Sequence, residues 1–274
     1  PVLAGESPSI LLVTPVPGVP LALQIEPLGL LFALIAAVLW VATTVYAIGY
    51  MRGHGEQHQT RFYAFFAIAI SATMGVALAQ NLFTLFLFYE LLTLSTYPLV
   101  THAGTDEAKR GGRVYLGILM GTSMGFLLLA VIWTWHLAGT TGFHPGGILA
   151  GKTSPLVLGV LYALFAFGIG KAALMPFHRW LPAAMVAPTP VSALLHAVAV
   201  VKAGVFAILK ITIYIFGLDL LSGTGATTPI LWVAAITIIG ASLIALHQDN
   251  LKRRLAYSTI SQLSYVVLGA VLAN

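Results

Sequence analysis

Glu90, Lys171, Lys202 and Lys210 each stand inside a stretch of the 274-residue sequence that is otherwise apolar. A charge near the centre of a bilayer costs about 2.5 kcal/mol or more unless it meets a partner or water. Ionisable groups at such depth therefore face a bundle interior or a cavity and mark an ion or proton path. Glu90 lies near the midpoint of a predicted span, in Phe88-Tyr89-Glu90-Leu91-Leu92, and is the only carboxylate placed inside one. Glu6, Glu26, Glu56, Asp106, Glu107, Asp219 and Asp249 fall outside the spans or at their ends. Lys171 stands just before Pro176, Pro182, Pro188 and Pro190, which remove helix hydrogen bonds at short intervals, so a broken helix is predicted there. A lysine beside such a break gains freed backbone carbonyls and water, the materials of transporter ion sites. The proton affinities of a buried lysine and carboxylate depend on their separation, so a small movement of Glu90 relative to Lys171 can switch a proton.

Blander readings compete at each position. A Glu–Lys pair can merely pin two helices, although buried pairs are weak stabilisers. His196 precedes Lys202 on one predicted span, and a histidine's ordinary pKa near 6.5 suits a relay. Six residues put the two about 120° apart on a helix, so direct transfer needs water or a neighbouring helix. His196 can equally be a packing histidine. Lys210 lies nearer a span end, where it either relays or snorkels to the interface. His54 and His58 have the i, i+4 spacing of helix metal ligands, but they lie in a hydrophilic loop between Arg52 and Arg61 and read as solvated. His136, His144 and His247 read as capping or water-facing. No metal or cofactor site is predicted, and no Ser–His–Asp set, phosphate loop or carboxylate pair points to enzymatic chemistry in the chain itself.

The elements that must position these charges are membrane helices. Hydrophobic residues make up 59% and charged residues 8% of the sequence, against about 25% charged in an ordinary soluble domain. An all-α polytopic bundle is predicted, because a hydrocarbon core about 30 Å thick needs about 20 apolar residues per helix. Eight spans are expected, near 28–51, 62–79, 82–101, 114–136, 155–176, 190–216, 230–247 and 254–273. Residues 1–27, with Pro1, Pro8, Pro15, Pro17 and Pro20, read as an extended extramembrane segment. Alternating sides of these spans collects Arg52, Arg61, Lys109, Arg110, Arg113, Arg179, Lys252, Arg253 and Arg254 on one face and Lys152 alone on the other. That asymmetry places the basic loops in the cytoplasm. The net charge of +5 is thus a matter of topology and anionic lipid, not nucleic acid. The absence of cysteine excludes disulfides, iron–sulfur clusters and thiol chemistry. Pro1 and Asn274 read as the ends of a segment of a longer chain.

Three stretches give a resemblance to a known family. They are Asn81-Leu82-Phe83 running to Glu90; Gly170-Lys171 with Pro176-Phe177-His178-Arg179-Trp180-Leu181-Pro182-Ala183; and Ala187-Pro188-Thr189-Pro190-Val191-Ser192-Ala193-Leu194-Leu195-His196. The tail Asp249-Asn250-Leu251-Lys252-Arg253-Arg254-Leu255-Ala256-Tyr257-Ser258-Thr259-Ile260-Ser261-Gln262 adds a fourth. Together they resemble the antiporter-like subunits shared by Mrp-type cation/proton antiporters and the membrane arm of respiratory complex I. The resemblance implies inverted five-helix repeats, each with a broken helix and a half-channel. Residues 1–27 would be the extramembrane segment, 28–61 a helix and cytoplasmic loop, 62–216 the first repeat, and 217–274 the start of a truncated second.

The resemblance also makes Glu90 the family's glutamate, Lys171 the broken-helix lysine, and Lys202 or His196 the relay. The family favours one of these last two, and this sequence carries both. An acid that some members have on the following helix is missing from 114–136. The function implied is a proton-translocating subunit of a multisubunit monovalent cation (sodium)/proton antiporter in a bacterial or archaeal cytoplasmic membrane, with other subunits as partners. The alternatives are a membrane-arm subunit of an NADH:quinone oxidoreductase or membrane-bound hydrogenase, an inorganic-carbon uptake subunit, or a non-transporting scaffold.

Overall fold

The computed structural model describes residues 7–272, apart from the side chains of Val16 and His196. A β-hairpin of β1 (Ser9–Val16) and β2 (Val19–Gln24) turns at Pro17-Gly18, where Gly18 adopts the positive φ of 81° that the turn requires. The hairpin lies across the α2–α3 connection. Ala22 donates its backbone N–H to Thr84 Oγ1 (3.1 Å), and Asn81 Nδ2 donates to the Pro20 carbonyl (2.8 Å). Helices α1 (Pro27–Gly53), α2 (Gln59–Ala77), α3 (Leu82–Val100) and α4 (Asp106–Ala138) follow, then the short α5 (Pro155–Gly168). After the break come α6 (Val200–Phe216), α7 (Leu218–Thr224), α8 (Thr228–Leu246) and α9 (Leu251–Leu272).

The count of spans differs from the expected eight. Among the described residues six helices (α1, α2, α3, α4, α8 and α9) are long and apolar enough to cross a bilayer, or seven if α6 and α7, bent by 84°, form one span. The difference lies at the expected span 155–176, because α5 stops at Gly168 after 14 residues, and in the count of six also at 190–216, where α6 qualifies only together with the bent α7. The break therefore begins before the first proline, and Lys171 lies within it, on a tight turn over Gly170–Ala172, not ahead of it. Glycines mark the place where α5 stops. A Cβ on Gly168 would strike the Leu127 backbone, and one on Gly170 would strike Thr122 Oγ1, so both let α4 press against the break. At the point of contact α4 carries a π-helical turn, Ser123–Leu127, a local widening often found at functional sites.

Packing follows the logic of a bilayer protein. Leu31, Leu34, Val38, Val41 and Val45 of α1 are exposed, as are Trp232, Ile236 and Ile239 of α8, apolar surfaces suited to lipid or to further membrane helices. Phe62, Phe66, Tyr89, Tyr115, Tyr162 and Trp180 are buried between helices. Gly204 of α6 allows a close approach from the other side: a Cβ there would meet the Lys171 carbonyl carbon and the Ala172 nitrogen. The break is thus clamped between α4 and α6. The tail flagged in the sequence ties the same region down, since Lys252 Nζ donates to the Ala187 carbonyl at 3.0 Å.

Candidate functional site

Glu90 is set by α3, whose start is fixed by Asn81. The Asn81 side chain accepts the Thr84 N–H at 2.8 Å, a capping interaction that fixes the helix start. The Glu90 carboxyl is buried, and neither oxygen has a hydrogen-bond partner among the described residues. Ser123, on the π turn of α4, is the nearby hydroxyl, but its own donor is turned to the Met120 carbonyl at 3.2 Å. An acidic group buried in this way is costly unless a proton, water or an opposite charge reaches it. The opposite charge within electrostatic reach is Lys171.

The break holds Lys171 through hydrogen bonds that replace those lost from the helix. In a bilayer every backbone polar group must find a protein or water partner. The Lys171 backbone N–H donates to Tyr89 Oη (3.1 Å), Ala173 N–H and Trp180 Nε1 both donate to the Gly170 carbonyl (3.0 and 2.8 Å), and Met175 N–H donates to Thr237 Oγ1 (3.2 Å). The Lys171 ammonium is fully buried. It donates to the Tyr89 carbonyl at 2.9 Å and to Thr93 Oγ1, and it sits 3.2 Å from the centroid of the Tyr89 ring. Glu90 and Lys171 are therefore brought together without being closed into an ion pair, and none joins them among the described residues. Hydroxyls continue the polar interior: Tyr115 bonds Thr96, and Tyr162 lies 3.0 Å from Thr212.

The remaining predicted residues are scattered. Lys202 is exposed on α6 and lines an apolar groove of about 340 Å³ with Phe32, Leu39, Val198 and Leu209. Gly204, two residues on and about 200° round the helix, is the position that touches the break, so Lys202 points away from Lys171. His196 lies in a π-helical turn, Leu194–Val198, and its side chain is outside the described residues. Lys210 does not snorkel. It is fully buried, its Nζ is 2.6 Å from Glu26 Oε1, and it donates to the Ala79 carbonyl at 2.7 Å.

Glu26 is the charge partner of buried Lys210 that reading the sequence missed. It stands immediately before Pro27 at the start of α1, and a carboxylate at a helix N-terminus usually needs no further explanation. The signal available was Lys210, a lysine in a span with no partner assigned. Tyr89, Thr93 and Ser123 carry no charge, and nothing in their spacing set them apart from ordinary interior residues. No group of three or more His, Asp or Glu suited to a metal occurs among the described residues.

A family model described as NADH:quinone oxidoreductase/Mrp antiporter, transmembrane, matches residues 79–274. A Staphylococcus epidermidis protein assigned as antiporter subunit mnhA2 is 33% identical over 265 residues, covering 90% of this chain and 30% of its own length. The chloroplastic NAD(P)H-quinone oxidoreductase subunit 5 of Adiantum capillus-veneris is 32% identical over 260 residues, covering 89% of this chain and 34% of that protein. Among solved structures, the Mrp complex from Dietzia sp. DQ12-45-1b superposes with a TM-score of 0.84 at 29% identity, over 98% of this chain and 29% of that one. The membrane-bound sulfane sulfur reductase, an archaeal respiratory membrane complex, gives 0.80 at 28% identity over 94% of this chain and 52% of that one. The chain thus spans about a third of the length of the curated relatives it matches.

Proposed function

The chain belongs to the NADH:quinone oxidoreductase/Mrp antiporter transmembrane family, and we propose that it carries a proton half-channel of a multisubunit monovalent cation/proton antiporter. The observation that carries this reading is the buried Glu90 carboxylate, unbonded on both oxygens, beside an ammonium held at a helix break. Each charge is the other's counter-ion, yet neither is locked to the other. The proton occupancy of Glu90 then depends on how closely Lys171 approaches, and the α4 π turn and the break are the elements that can move to change it. From the pair the proton passes through waters and hydroxyls along the membrane midplane, with Lys202 and His196 as later relays. Residues 62–216 form the first repeat in this reading and 217–274 the start of the second. The basic loops face the cytoplasm and residues 1–27 the other side.

The similarity to the Staphylococcus antiporter subunit and to the Mrp complex supports an antiporter with sodium as a candidate cation. The similarity to quinone oxidoreductase subunit 5 and to the sulfane sulfur reductase favours a second reading, in which the same charges are driven by redox subunits. Neighbouring genes separate the two: small antiporter subunits for the first, flavin or iron–sulfur subunits for the second. The half-channel itself is tested by proton uptake in vesicles holding the complete assembly with Glu90→Ala or Lys171→Ala. Transport should be lost in both, and transport at the unmodified rate would sink the proposal.

A further inference from the structure

A second charged pair lies apart from Glu90 and Lys171, at the hairpin end of the bundle. Glu26 Oε1 is 2.6 Å from Lys210 Nζ, and the two side chains differ in access: Lys210 is 0% exposed and Glu26 13%. Glu26 lines a cavity of about 490 Å³ between the hairpin and the loop after α4. Gln24, Gln80, Thr141, His144 and Tyr214 give that cavity the polar partners that ordered water needs, and exposed Ser7 and Gly18 stand at its edge. Behind Glu26 the ammonium donates to the carbonyls of Ala79 (2.7 Å) and Ala77 (3.5 Å), next to the negative end of the α2 dipole, and faces the Phe143 ring at 4.7 Å.

We propose that Glu26 and Lys210 form a second proton-exchange pair, through which this half of the protein trades protons with the aqueous phase on the hairpin side; the inference rests on the proton-path reading above. Glu26, the outer member, touches the cavity, and Lys210, the inner one, is dry, which is the order a relay requires. For release, an N–H bond of the Lys210 ammonium breaks and an O–H bond forms on the Glu26 carboxylate, leaving a neutral amine and a carboxylic acid. The acid then gives its proton to cavity water as hydronium, and the amine takes one from the interior side. Uptake is the reverse, and charge is conserved at each step. A metal cation is the poorer cargo, because Lys210 already occupies the carboxylate and the carbonyls that such a cation would use. A purely mechanical lock fits less well, since a buried pair adds little stability and this one borders a cavity. Among the described residues the other titratable groups lining the cavity are His144 and Tyr214, and no further Asp, Glu, Lys or Arg lines it.

The test is proton flux in vesicles containing the complete complex, recorded against the pH on the hairpin side, for wild type, Glu26→Gln, the double variant Glu26→Gln/Lys210→Met, and Glu90→Gln. The expected result is that Glu26→Gln lowers flux at least about tenfold, within the range of a lost proton-transfer group. The double variant should assemble normally and stay equally slow. Flux within twofold of wild type in Glu26→Gln, or recovery of flux in the double variant, overturns the proposal, because recovery would mean that the pair only holds helices together. If Glu26→Gln fails to assemble, the neutral double variant decides alone. It supports the proposal when assembled and slow, and overturns it when assembled and active. The Glu90→Gln arm separates the two levels: a silent Glu90→Gln beside an active Glu26→Gln removes only this pair, whereas an active Glu90→Gln removes the proton-path reading itself.

Discussion

The Glu90–Lys171 site and the Glu26–Lys210 site contain the same two functional groups in opposite arrangements. At Glu26 the carboxylate and ammonium are in contact at 2.6 Å, beside a cavity. At Glu90 the carboxylate is unbonded while the ammonium is occupied by the Tyr89 carbonyl, Thr93 and an aromatic face. A closed pair sets each charge against its counter-ion, and an open pair leaves a charge whose state depends on small displacements. The local backbone accounts for the difference. Lys210 stands on the α-helical part of α6 opposite a helix start, whereas Lys171 stands on a break against which Gly168, Gly170 and Gly204 allow close packing. The two arrangements suit two tasks: a closed pair can pass a proton across its own contact, and an open pair can change occupancy with distance.

The comparison is most sharply broken by replacing both members of the open pair with apolar residues. Glu90→Leu/Lys171→Met should assemble with nearly unchanged thermal stability, since apolar replacement of a buried pair is often neutral or better. Proton flux should nevertheless fall by about 100-fold or more, the scale of a removed acid–base group. Retained flux would make the open pair a scaffold. Lys210→Met alone comes next: it leaves Glu26 without its counter-ion, and thermal unfolding in detergent should show a loss of about 3 kcal/mol, reduced by what access Glu26 has to the cavity. Adding Glu26→Gln should return most of that loss, the behaviour of a closed pair.

The open site was legible in the sequence and the closed one only in part. Glu90 and Lys171 stood out because a charge in an apolar run has few explanations, and the prolines after Lys171 announced a break. The point where the helix ends was not legible, because it is set by the tertiary approach of α4 and α6 to Gly168, Gly170 and Gly204, and glycine in a helix pattern does not say what it touches. Lys202 was expected near the relay because it is central in its span. Its face on α6 depended on the π-helical turns at Leu194–Val198 before it and Thr212–Phe216 at its end, and these shift a helix's phase without a sequence mark. Glu26 was hidden by being at a helix end, and its partner Lys210 was left between a relay and a snorkelling role because the hairpin that encloses it could not be placed from sequence.

A gentler change probes the clamp that keeps the first pair open. Gly204→Ala puts a methyl against the Lys171 carbonyl carbon and the Ala172 nitrogen, so α6 or the break must move. Overpacking of this kind costs about 1–3 kcal/mol, and proton flux should drop along with thermal stability because the Lys171 turn is displaced. The equivalent change at Gly117 of α4, where an added Cβ meets nothing within 4 Å, should leave both unaltered. A loss at Gly117 equal to that at Gly204 would deny the clamp its special role.

The smallest effect belongs to a titration outside both pairs. His102 follows α3 in a loop, is buried against Phe62, and lies 3.9 Å from Glu56. Burial pushes its imidazole below the usual histidine range; Glu56 opposes this and Arg61 reinforces it. The fold therefore prefers the neutral ring, and stability linked to His102 is complete above the unfolded value of about 6.5. As pH falls below 6.5 the unfolded chain binds a proton that the folded one does not, so stability declines until the lowered folded pKa is passed. One proton limits that slope to about 1.4 kcal/mol per pH unit. Thermal unfolding of the detergent-solubilised protein from pH 8 to 5 should show this decline in wild type and a flatter profile in His102→Gln. An identical decline in both would return the acid sensitivity to the membrane-embedded pairs, where Glu26→Gln/Lys210→Met should then remove it.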